Sequence, residues 1–313
     1  NLRCAYCMPE EHDRWLPSDE VRTTAELVRV VDAFSALGVL RVRITGGEPL
    51  IRPDLEQLLR SLSHGERRGV ELALTTNGIL LASRAAGLKA AGLHRITVSL
   101  DTLRADRFTR LTRRNQLPDV LAGITAAKSA GFTDLKLDCV VMRGVNDDEL
   151  HELLRFAREV QAELRFIEYM DVGGATKWSA REVVPQRELL ERVGPARELP
   201  GRGSAPAQRY QREDGQIFGV IASTTAPFCG ACDRARITAD GTFFSCLYAK
   251  HGVDLRSALR SGADLAPLIS AHWSKRVDRG AEERLALREA RGPLLSASQL
   301  QQEPHAEMHT RGG

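Results

Sequence analysis

Short apolar segments alternate with longer amphipathic ones through the first half of the chain. The short segments are rich in apolar or β-branched residues and bounded by turn residues, which is typical of strands. They span residues 40–45, 70–76, 95–100, 135–142 and 163–169. Between them, apolar residues recur at helical spacing, as at Leu55, Leu58, Leu59 and Leu62 and again at Leu150, Leu153, Leu154 and Ala157. Thr23, followed three residues later by Glu26, predicts a capping box that starts an earlier helix.

Strands that alternate with helices of this length predict a parallel sheet with right-handed crossovers. With one further strand, expected before Asn1, the five visible strands would form a partial (βα)6 barrel, smaller than the closed eight-unit form. We therefore expect an α/β fold. An open, doubly wound sheet is the structural alternative.

The pattern changes after about residue 200, where the stretch PGRGSAP at residues 200–206 is typical of a linker. Asp-Gly pairs at residues 214–215 and 240–241 lie between apolar segments, which predicts two β-hairpins. From residue 255 onward the chain is expected to be mainly helical. We predict a core barrel over residues 1–200 and a C-terminal region of hairpins and helices over residues 201–313.

Composition and net charge indicate what kind of protein this is and which kinds of partner it does not favour. With 42% hydrophobic residues in 313, the chain has enough apolar material for a sizeable core. A net charge of +3, from 44 basic and 41 acidic residues, favours neither nucleic acid nor a membrane as a partner. The chain has no apolar run of membrane-spanning length and its first residues are not signal-like, so a cytoplasmic protein is expected.

Five of the six cysteines fall into two groups, Cys4 with Cys7 and Cys229 with Cys232 and Cys246. In a reducing compartment such groups indicate metal binding rather than disulfides, because a two-residue gap turns both sulfurs toward one centre. A structural zinc site is the simpler alternative. The remaining cysteine, Cys139, lies in an apolar strand and is expected to be a buried core thiol.

The sequence TGGEP at residues 45–49 follows the first visible strand, at the edge where parallel sheets bind ligands. Its glycines allow a close approach of backbone to a ligand, although a plain tight turn would have the same composition. Lys136 lies in an otherwise apolar strand, where a cation is expected to face a ligand. Arg234 and Arg236 alternate along a strand directly after Cys232, so both should face the same side. His305 and His309 are expected to be solvent exposed in a polar tail.

Together these residues resemble the radical S-adenosylmethionine superfamily, and within it the GTP 3′,8-cyclase (MoaA) family of molybdenum cofactor biosynthesis. The resemblance covers nearly the whole chain. Its most specific part is the second cysteine group, in which 13 residues separate the CxxC pair from Cys246. The segments that carry the resemblance are NLRCAYCMP, RITGGEPLIR, LTTNG, VSLD, GVNDDE, RFIEYMDVG and FCGACDRARITADGTFFSCL.

The resemblance implies roles for particular residues, although it assigns no catalytic side chain, because the cofactors carry the radical chemistry. Cys4 and Cys7 would bind a first [4Fe–4S] cluster, and Cys229, Cys232 and Cys246 a second one. The positions implied to contact S-adenosylmethionine are Tyr6, Gly47, Ser99 and Met170. Those implied to line the GTP site are Arg43, Thr75, Lys136, Arg234 and Arg236. The tail residues Gly312 and Gly313 would reach the active site, where a flexible tail is the alternative.

The implied reaction is the radical conversion of GTP to (8S)-3′,8-cyclo-7,8-dihydroguanosine 5′-triphosphate, initiated at the 3′ hydrogen of GTP. The product would pass to cyclic pyranopterin monophosphate synthase as a downstream partner, and a homodimer remains open. A third ligand cysteine and a further GTP-binding arginine are expected before Asn1. With two of the three ligands, the 313-residue form is expected not to hold the first cluster stably. The alternatives are a radical enzyme with another substrate and a non-enzymatic zinc protein.

Overall fold

A computed structural model describes residues 1–10, 15–17, 19–63, 69–201 and 203–312. Its strands are β1 (Arg41–Ile44), β2 (Glu71–Thr76), β3 (Arg95–Ser99), β4 (Leu135–Val141), β5 (Glu163–Glu168), β6 (Ala196–Glu198), β7 (Gln208–Arg212), β8 (Ile217–Ile221), β9 (Arg236–Ile237), β10 (Thr242–Phe244) and β11 (Val253–Asp254). Its α-helices are α1 (Thr24–Ala36), α2 (Leu55–Ser63), α3 (Leu81–Ala90), α4 (Ala105–Thr112), α5 (Leu117–Ser129), α6 (Leu150–Glu159), α7 (Gln186–Val193), α8 (Arg256–Ser261), α9 (Ala266–Trp273), α10 (Gly280–Ala286), α11 (Ala297–Gln302) and α12 (Met308–Arg311).

The main sheet has eight strands in the order β1-β2-β3-β4-β5-β8-β7-β6. Neighbouring strands from β1 to β5 pair in parallel, and β8 continues this parallel set on the far side of β5. The five strands predicted from the apolar segments are confirmed, each with both ends within one residue of the prediction. Because these strands are parallel, their carboxyl ends lie along one edge of the sheet, where ligand sites form.

Both predicted hairpins are present. The first, β7 with β8, joins the main sheet, because β8 pairs with β5 as well as with β7. Sheet pairing thus associates this hairpin with strands of the first 200 residues, and the position of the domain boundary stays a prediction. The second hairpin, β9 with β10, forms a separate antiparallel sheet with β11.

The helix start and the buried helix faces predicted from the sequence are present in the structure. Thr23 and Glu26 form the reciprocal capping box before α1. The four leucines of α2 that share one face are all buried, as are the corresponding apolar residues of α6. The chain from α8 to α12 is mainly helical, as expected. No helix in the described ranges combines the length and hydropathy needed to cross a membrane.

Among the described residues, three apolar clusters hold the cysteine-bearing segments in place. The largest lies between the main sheet and its helices and includes Cys139, which is fully buried as predicted. A second cluster joins the C-terminal region to α1 through Val30, Phe243 and Leu255. The third, which contains Tyr169 and Trp178, packs against Tyr6 of the first cysteine loop. Burial at these contacts holds the cysteine-bearing segments against the edge of the sheet.

Candidate functional site

The first cysteine loop is a tight turn held against α4. The amides of Cys7 and Met8 both donate to the carbonyl of Cys4, at 3.2 and 2.8 Å. The Ala5 amide donates to Leu111 O at the end of α4, at 2.7 Å. A hydrogen bond with the Cys7 thiol, together with burial, raises the pKa of Cys4 well above its ordinary value. The two sulfurs therefore lie side by side, so one soft group can reach both of them.

Tyr6, between these cysteines, is fixed at both its phenol and its backbone. Its hydroxyl donates to Asp101 Oδ2 at 2.9 Å, and its carbonyl accepts from the Tyr169 hydroxyl at 3.1 Å. Burial raises the pKa of Asp101 to about 6, although the bonds from Tyr6 and from the Val140 amide oppose that rise. The cysteine loop is thereby tied to the segments that follow β3 and β5.

The loop after β1 is held by Glu48. The carboxylate of Glu48 accepts from Thr76 Oγ1 at 2.7 Å and from the amides of Leu50 and Asn77 at 2.9 and 2.8 Å. These bonds close the loop against the end of β2 and leave Gly47 at its tip. Gly46 has φ +132°, which a residue with a side chain rarely adopts.

A row of polar side chains crosses the sheet below this loop. Arg43 Nη1 donates to Thr75 Oγ1 at 2.7 Å and to Thr97 Oγ1 at 3.1 Å, so the row spans three strands. Lys136 pairs with Thr97 in the β3–β4 register and continues the row. The Lys136 ammonium donates to Asp134 at 2.5 Å, and burial lowers its pKa. The row supplies cationic side chains of the kind that bind phosphate oxygens.

The second cysteine group lies where the loop before β9, the end of β10 and the start of α10 meet. Burial raises the pKa of Cys229, with a further contribution from nearby Cys246, while the amides of Ala281 and Glu282 donate to its sulfur and oppose the rise. The Tyr248 amide donates to Cys246 Sγ at 3.4 Å. The sulfurs of this group are therefore approached by backbone amides, as cluster-binding thiolates commonly are.

Arg234 and Arg236 bring positive charge to this group. Burial raises the pKa of Cys232, but the charge and hydrogen bonds of Arg234, with a hydrogen bond from Arg276, lower it on balance. Burial lowers the pKa of Arg236 to about 10, although Cys232 and Cys246 favour its charged form. Arg236 thus lies close to two of the three cysteines and to Arg234.

The C-terminal segment, residues 305–312, lies between the two cysteine groups. Arg236 Nη1 donates to the carbonyl of Gly312 at 3.0 Å. A Cβ added at Gly47 would be 3.3 Å from His309 Cβ, and one at Gly173 would collide with Met308. The segment therefore contacts the loop after β1, the segment after β5, and Arg236. Gly313 lies outside the described residues.

The other predicted site residues lie at the same edge of the sheet. Ser99 ends β3, and Met170 follows β5 directly after Tyr169. Cys4 and Cys7 are adjacent, and Cys229, Cys232 and Cys246 form a second group beside Arg236. The roles of Ser99 and Met170 at S-adenosylmethionine stay predictions.

The cysteines are the candidate ligands for any bound metal group. Among the residues that the structure describes, no group of three or more His, Cys, Asp or Glu side chains is arranged to hold one metal ion. All six cysteines are free thiols. Buried or half-buried thiols that receive amide hydrogen bonds are the ligands that iron–sulfur clusters use.

The expectation for the two histidines is wrong. The side chain of His309 is 6% exposed and that of His305 is 30% exposed. The sequence pattern failed here because the polar tail packs across the site instead of extending into solvent.

The sequence analysis did not identify three residues near the site, two aspartates and one arginine. Asp101 holds Tyr6, Asp171 is fully buried after β5, and Arg276 Nη1 donates to the Cys232 carbonyl at 2.5 Å. The two aspartates lie in the segments VSLD and EYMDVG, each directly after a strand, and this position was the available signal. Nothing in the local sequence distinguishes Arg276 from the other arginines.

Two family models match the chain. The model described as the radical SAM superfamily matches residues 1–157, and the one described as Molybdenum Cofactor Synthesis C matches residues 162–282. The first match contains Cys4 and Cys7, and the second contains the other cysteine group.

Curated relatives match along all or most of the chain. GTP 3′,8-cyclase 1 of Mycobacterium tuberculosis is 56% identical, with coverage of 100% of this chain and 90% of the relative. GTP 3′,8-cyclase of Streptomyces coelicolor is 46% identical, with coverage of 90% of this chain and 86% of the relative. Identity of this extent establishes common family membership.

Among solved structures, Streptococcus suis SuiB bound to S-adenosylmethionine matches with a TM-score of 0.62 at 17% identity, covering 91% of this chain and 67% of SuiB. At that identity the match shows the fold alone, and it confirms the predicted partial barrel with its C-terminal extension. Fold, cysteine loop and family model together define a radical SAM enzyme, for which a [4Fe–4S] cluster and S-adenosylmethionine are implied cofactors. Within that class, the chain belongs to the GTP 3′,8-cyclase (MoaA) family of molybdenum cofactor biosynthesis.

Proposed function

We propose that the chain is a GTP 3′,8-cyclase, which converts GTP to (8S)-3′,8-cyclo-7,8-dihydroguanosine 5′-triphosphate in the first step of molybdenum cofactor synthesis. One observation carries the proposal beyond family membership. Arg236 lies close to Cys232 and Cys246 and also donates to Gly312, while the same C-terminal segment contacts the loop after β1. These contacts support one shared site for the two cysteine groups.

The protein's own contribution is to bind and orient. When bound, the first cluster and S-adenosylmethionine supply the radical chemistry of the superfamily. Tyr6, Gly47, Ser99 and Met170 would hold S-adenosylmethionine along the carboxyl edge of the sheet. Arg43 and Lys136, with Thr75 between them in the polar row, would hold the triphosphate. Their positive charge is matched to that ligand, and guanidinium forks suit phosphate oxygens.

Cys229, Cys232 and Cys246 would hold a second [4Fe–4S] cluster beside the guanine, with Arg234 and Arg236 facing the substrate. With three protein ligands, such a cluster would keep one iron available to bind the base. Gly312 and Gly313 would close the site from the tail. The protein would act in the cytoplasm, in keeping with its six free thiols, and pass its product to cyclic pyranopterin monophosphate synthase. A homodimer stays a prediction.

The test is an anaerobic assay of the native, full-length protein with S-adenosylmethionine, GTP and a reductant. The expected products are 5′-deoxyadenosine and the cyclised nucleotide. Formation of 5′-deoxyadenosine without cyclised nucleotide would leave the superfamily in place and contradict this function.

A matched lysine pair tests the triphosphate site in the same assay. Lys136→Gln removes a buried cation of the polar row and should raise the KM for GTP by about tenfold or more, because a charged hydrogen bond contributes about 1.5–3 kcal/mol. Lys128→Gln, at a half-buried lysine on α5 whose ammonium donates to Gln161, should leave the KM within about twofold of wild type, because this lysine is not part of the polar row. Equal KM values for both variants would contradict the placement of the triphosphate at Lys136.

The second cluster is tested by metal analysis. After anaerobic reconstitution, the full-length protein should hold about eight irons and eight sulfides, and Cys232→Ala should hold about half of each. Zinc in place of iron at the second group would contradict the cluster and favour a structural metal site.

A further inference from the structure

Asp171, the residue after the predicted S-adenosylmethionine contact Met170, carries a fully buried carboxylate. Its Oδ2 accepts from Arg284 Nε at 2.7 Å and from Arg291 Nε at 2.8 Å. Its Oδ1 accepts from Arg291 Nη2 at 2.8 Å and from the Tyr248 hydroxyl at 3.0 Å. Four hydrogen bonds, two of the donors being guanidinium groups, satisfy both oxygens of this buried charge.

All of these donors come from the C-terminal region, while Asp171 belongs to the end of the main sheet. The backbone adds to the connection, because the Leu294 amide donates to the carbonyl of Asp171 at 2.9 Å. Arg291 also donates from Nη1 to the Thr224 carbonyl at 2.8 Å, and its guanidinium lies 5.3 Å from the centre of the Trp178 ring. The contacts therefore join the region that carries the second cysteine group to the segment that carries Met170.

Tyr248 connects Asp171 directly to a cluster cysteine. The Tyr248 amide donates to Cys246 Sγ, while the hydroxyl of the same residue donates to Asp171. Gly280 packs against both Tyr248 and Cys246, so the tyrosine is held from its other side. One residue thus spans the distance between a sulfur of the second group and the residue after Met170.

We propose that Asp171 is a positioning residue that sets the second cysteine group, and with it the bound substrate base, against the Met170 end of the site. The inference rests on the proposed function. Radical transfer requires the reacting atoms to approach to about 3–3.5 Å, and a misplacement of about 1 Å can cost on the order of a hundredfold in rate. Asp171 acts through Tyr248, Arg284 and Arg291 and touches no reacting atom.

The test is Asp171→Asn in the full-length, reconstituted protein. Asparagine keeps the shape but turns an NH2 group toward arginine donors and removes the charge that they share. The ratio of cyclised nucleotide to 5′-deoxyadenosine should fall by about tenfold or more, because substrate placement fails while cleavage of S-adenosylmethionine persists. The change that GTP causes in the electron paramagnetic resonance spectrum of the second cluster should also be reduced or lost. Loss of folded protein would lower both products together and leave their ratio unchanged.

Two further variants complete the test. Tyr248→Phe removes only the hydroxyl and should also lower the ratio of cyclised nucleotide to 5′-deoxyadenosine, by a smaller factor than Asp171→Asn. If Asp171→Asn does not fold, Tyr248→Phe is the variant that tests the inference. Glu188→Gln is the matched control, because Glu188 also pairs with two arginines, Arg143 and Arg192, but lies on α7 away from the cysteines. Its ratio should match that of wild type.

The inference would be overturned if folded Asp171→Asn protein showed the wild-type product ratio and an unchanged GTP-dependent spectrum. If Asp171→Asn does not fold, the same result in Tyr248→Phe would overturn it. In either case the proposed function would stand. An equal loss in Glu188→Gln would overturn it as well, since the effect would then be general. If the wild-type protein forms no cyclised nucleotide at all, the proposed function fails and the inference falls with it.

Discussion

At the residue scale, the surroundings of Cys246 show how closely this chain packs around its second cysteine group. Gly280 lies against the side chain of Tyr248, and a Cβ at this glycine would be 3.3 Å from Cys246 Sγ and would collide with Tyr248. The absence of a side chain at residue 280 is what allows α10 to begin there. The amides of Ala281 and Glu282, which approach Cys229, depend on that start.

Gly280→Ala should therefore destabilise the protein and weaken its hold on the second cluster. Overpacking of this kind typically costs about 1–3 kcal/mol of unfolding free energy. Urea unfolding and iron content after reconstitution are the measurements. Gly292→Ala is the matched control, because no atom lies within 4 Å of a Cβ added there, and it should change stability by less than about 0.5 kcal/mol. Equal stability of both variants would show that α10 can move away from Tyr248 without cost.

At the scale of elements, the C-terminal segment is anchored to the turn between β9 and β10. His305 Nε2 lies 2.7 Å from Asp240 Oδ2, and Thr238 donates to the other oxygen of this fully buried aspartate. The hydrogen bond with Asp240 raises the pKa of His305, although burial, Arg256 and Arg311 oppose the rise. Burial alone would raise the pKa of Asp240, but the bonds from His305 and Thr238 lower it to about 2.

This pair gives the tail a defined pH dependence. The histidine contribution is fully present below its unfolded pKa of about 6.5 and is lost as the pH rises through the higher folded value. The aspartate contribution is present above about pH 4 and is lost as the pH falls through about 2. Stabilisation by the pair is therefore greatest between about pH 4 and pH 6.5.

His305→Gln should lose about 1 kcal/mol of unfolding free energy in that range and less at pH 9, because the charged form of the wild-type histidine is lost as the pH rises through its raised pKa. Urea unfolding at pH 6 and pH 9 measures the difference. His151→Gln, at an exposed histidine on α6, provides the control for loss of a histidine elsewhere. A deficit of the variant that is the same at both pH values would contradict a charged pair.

The strands and hairpins could be predicted from the sequence, but the contacts between distant segments could not. The five parallel strands and both hairpins follow from local periodicity and Asp-Gly turns, because these signals lie within single segments. The attachment of the first hairpin to β5, and the packing of His309 over Gly47, depend on contacts between distant segments that no local pattern encodes. The cysteine groups were visible because ligand spacing is local, whereas the donors to Asp171 lie 77 to 120 residues away.

At the scale of the whole molecule, the two halves of the chain meet at one edge of the main sheet. The first half supplies Cys4 and Cys7 at that edge and the polar row from Arg43 to Lys136 within the sheet, and the second half supplies the other three cysteines. Packing of the C-terminal region on α1 and hydrogen bonds to Asp171 hold these parts together. The arrangement suits a reaction that needs a radical source and a separate holder for its substrate.

The most direct test of this account is the fate of the hydrogen at C3′ of GTP. The full-length protein is incubated anaerobically with S-adenosylmethionine, a reductant and GTP deuterated at C3′, and the 5′-deoxyadenosine is examined by mass spectrometry. One deuterium is expected in 5′-deoxyadenosine, together with cyclised nucleotide that lacks it. Unlabelled 5′-deoxyadenosine, formed at the same rate with and without GTP, would contradict the claim that the two cysteine groups serve one site for GTP.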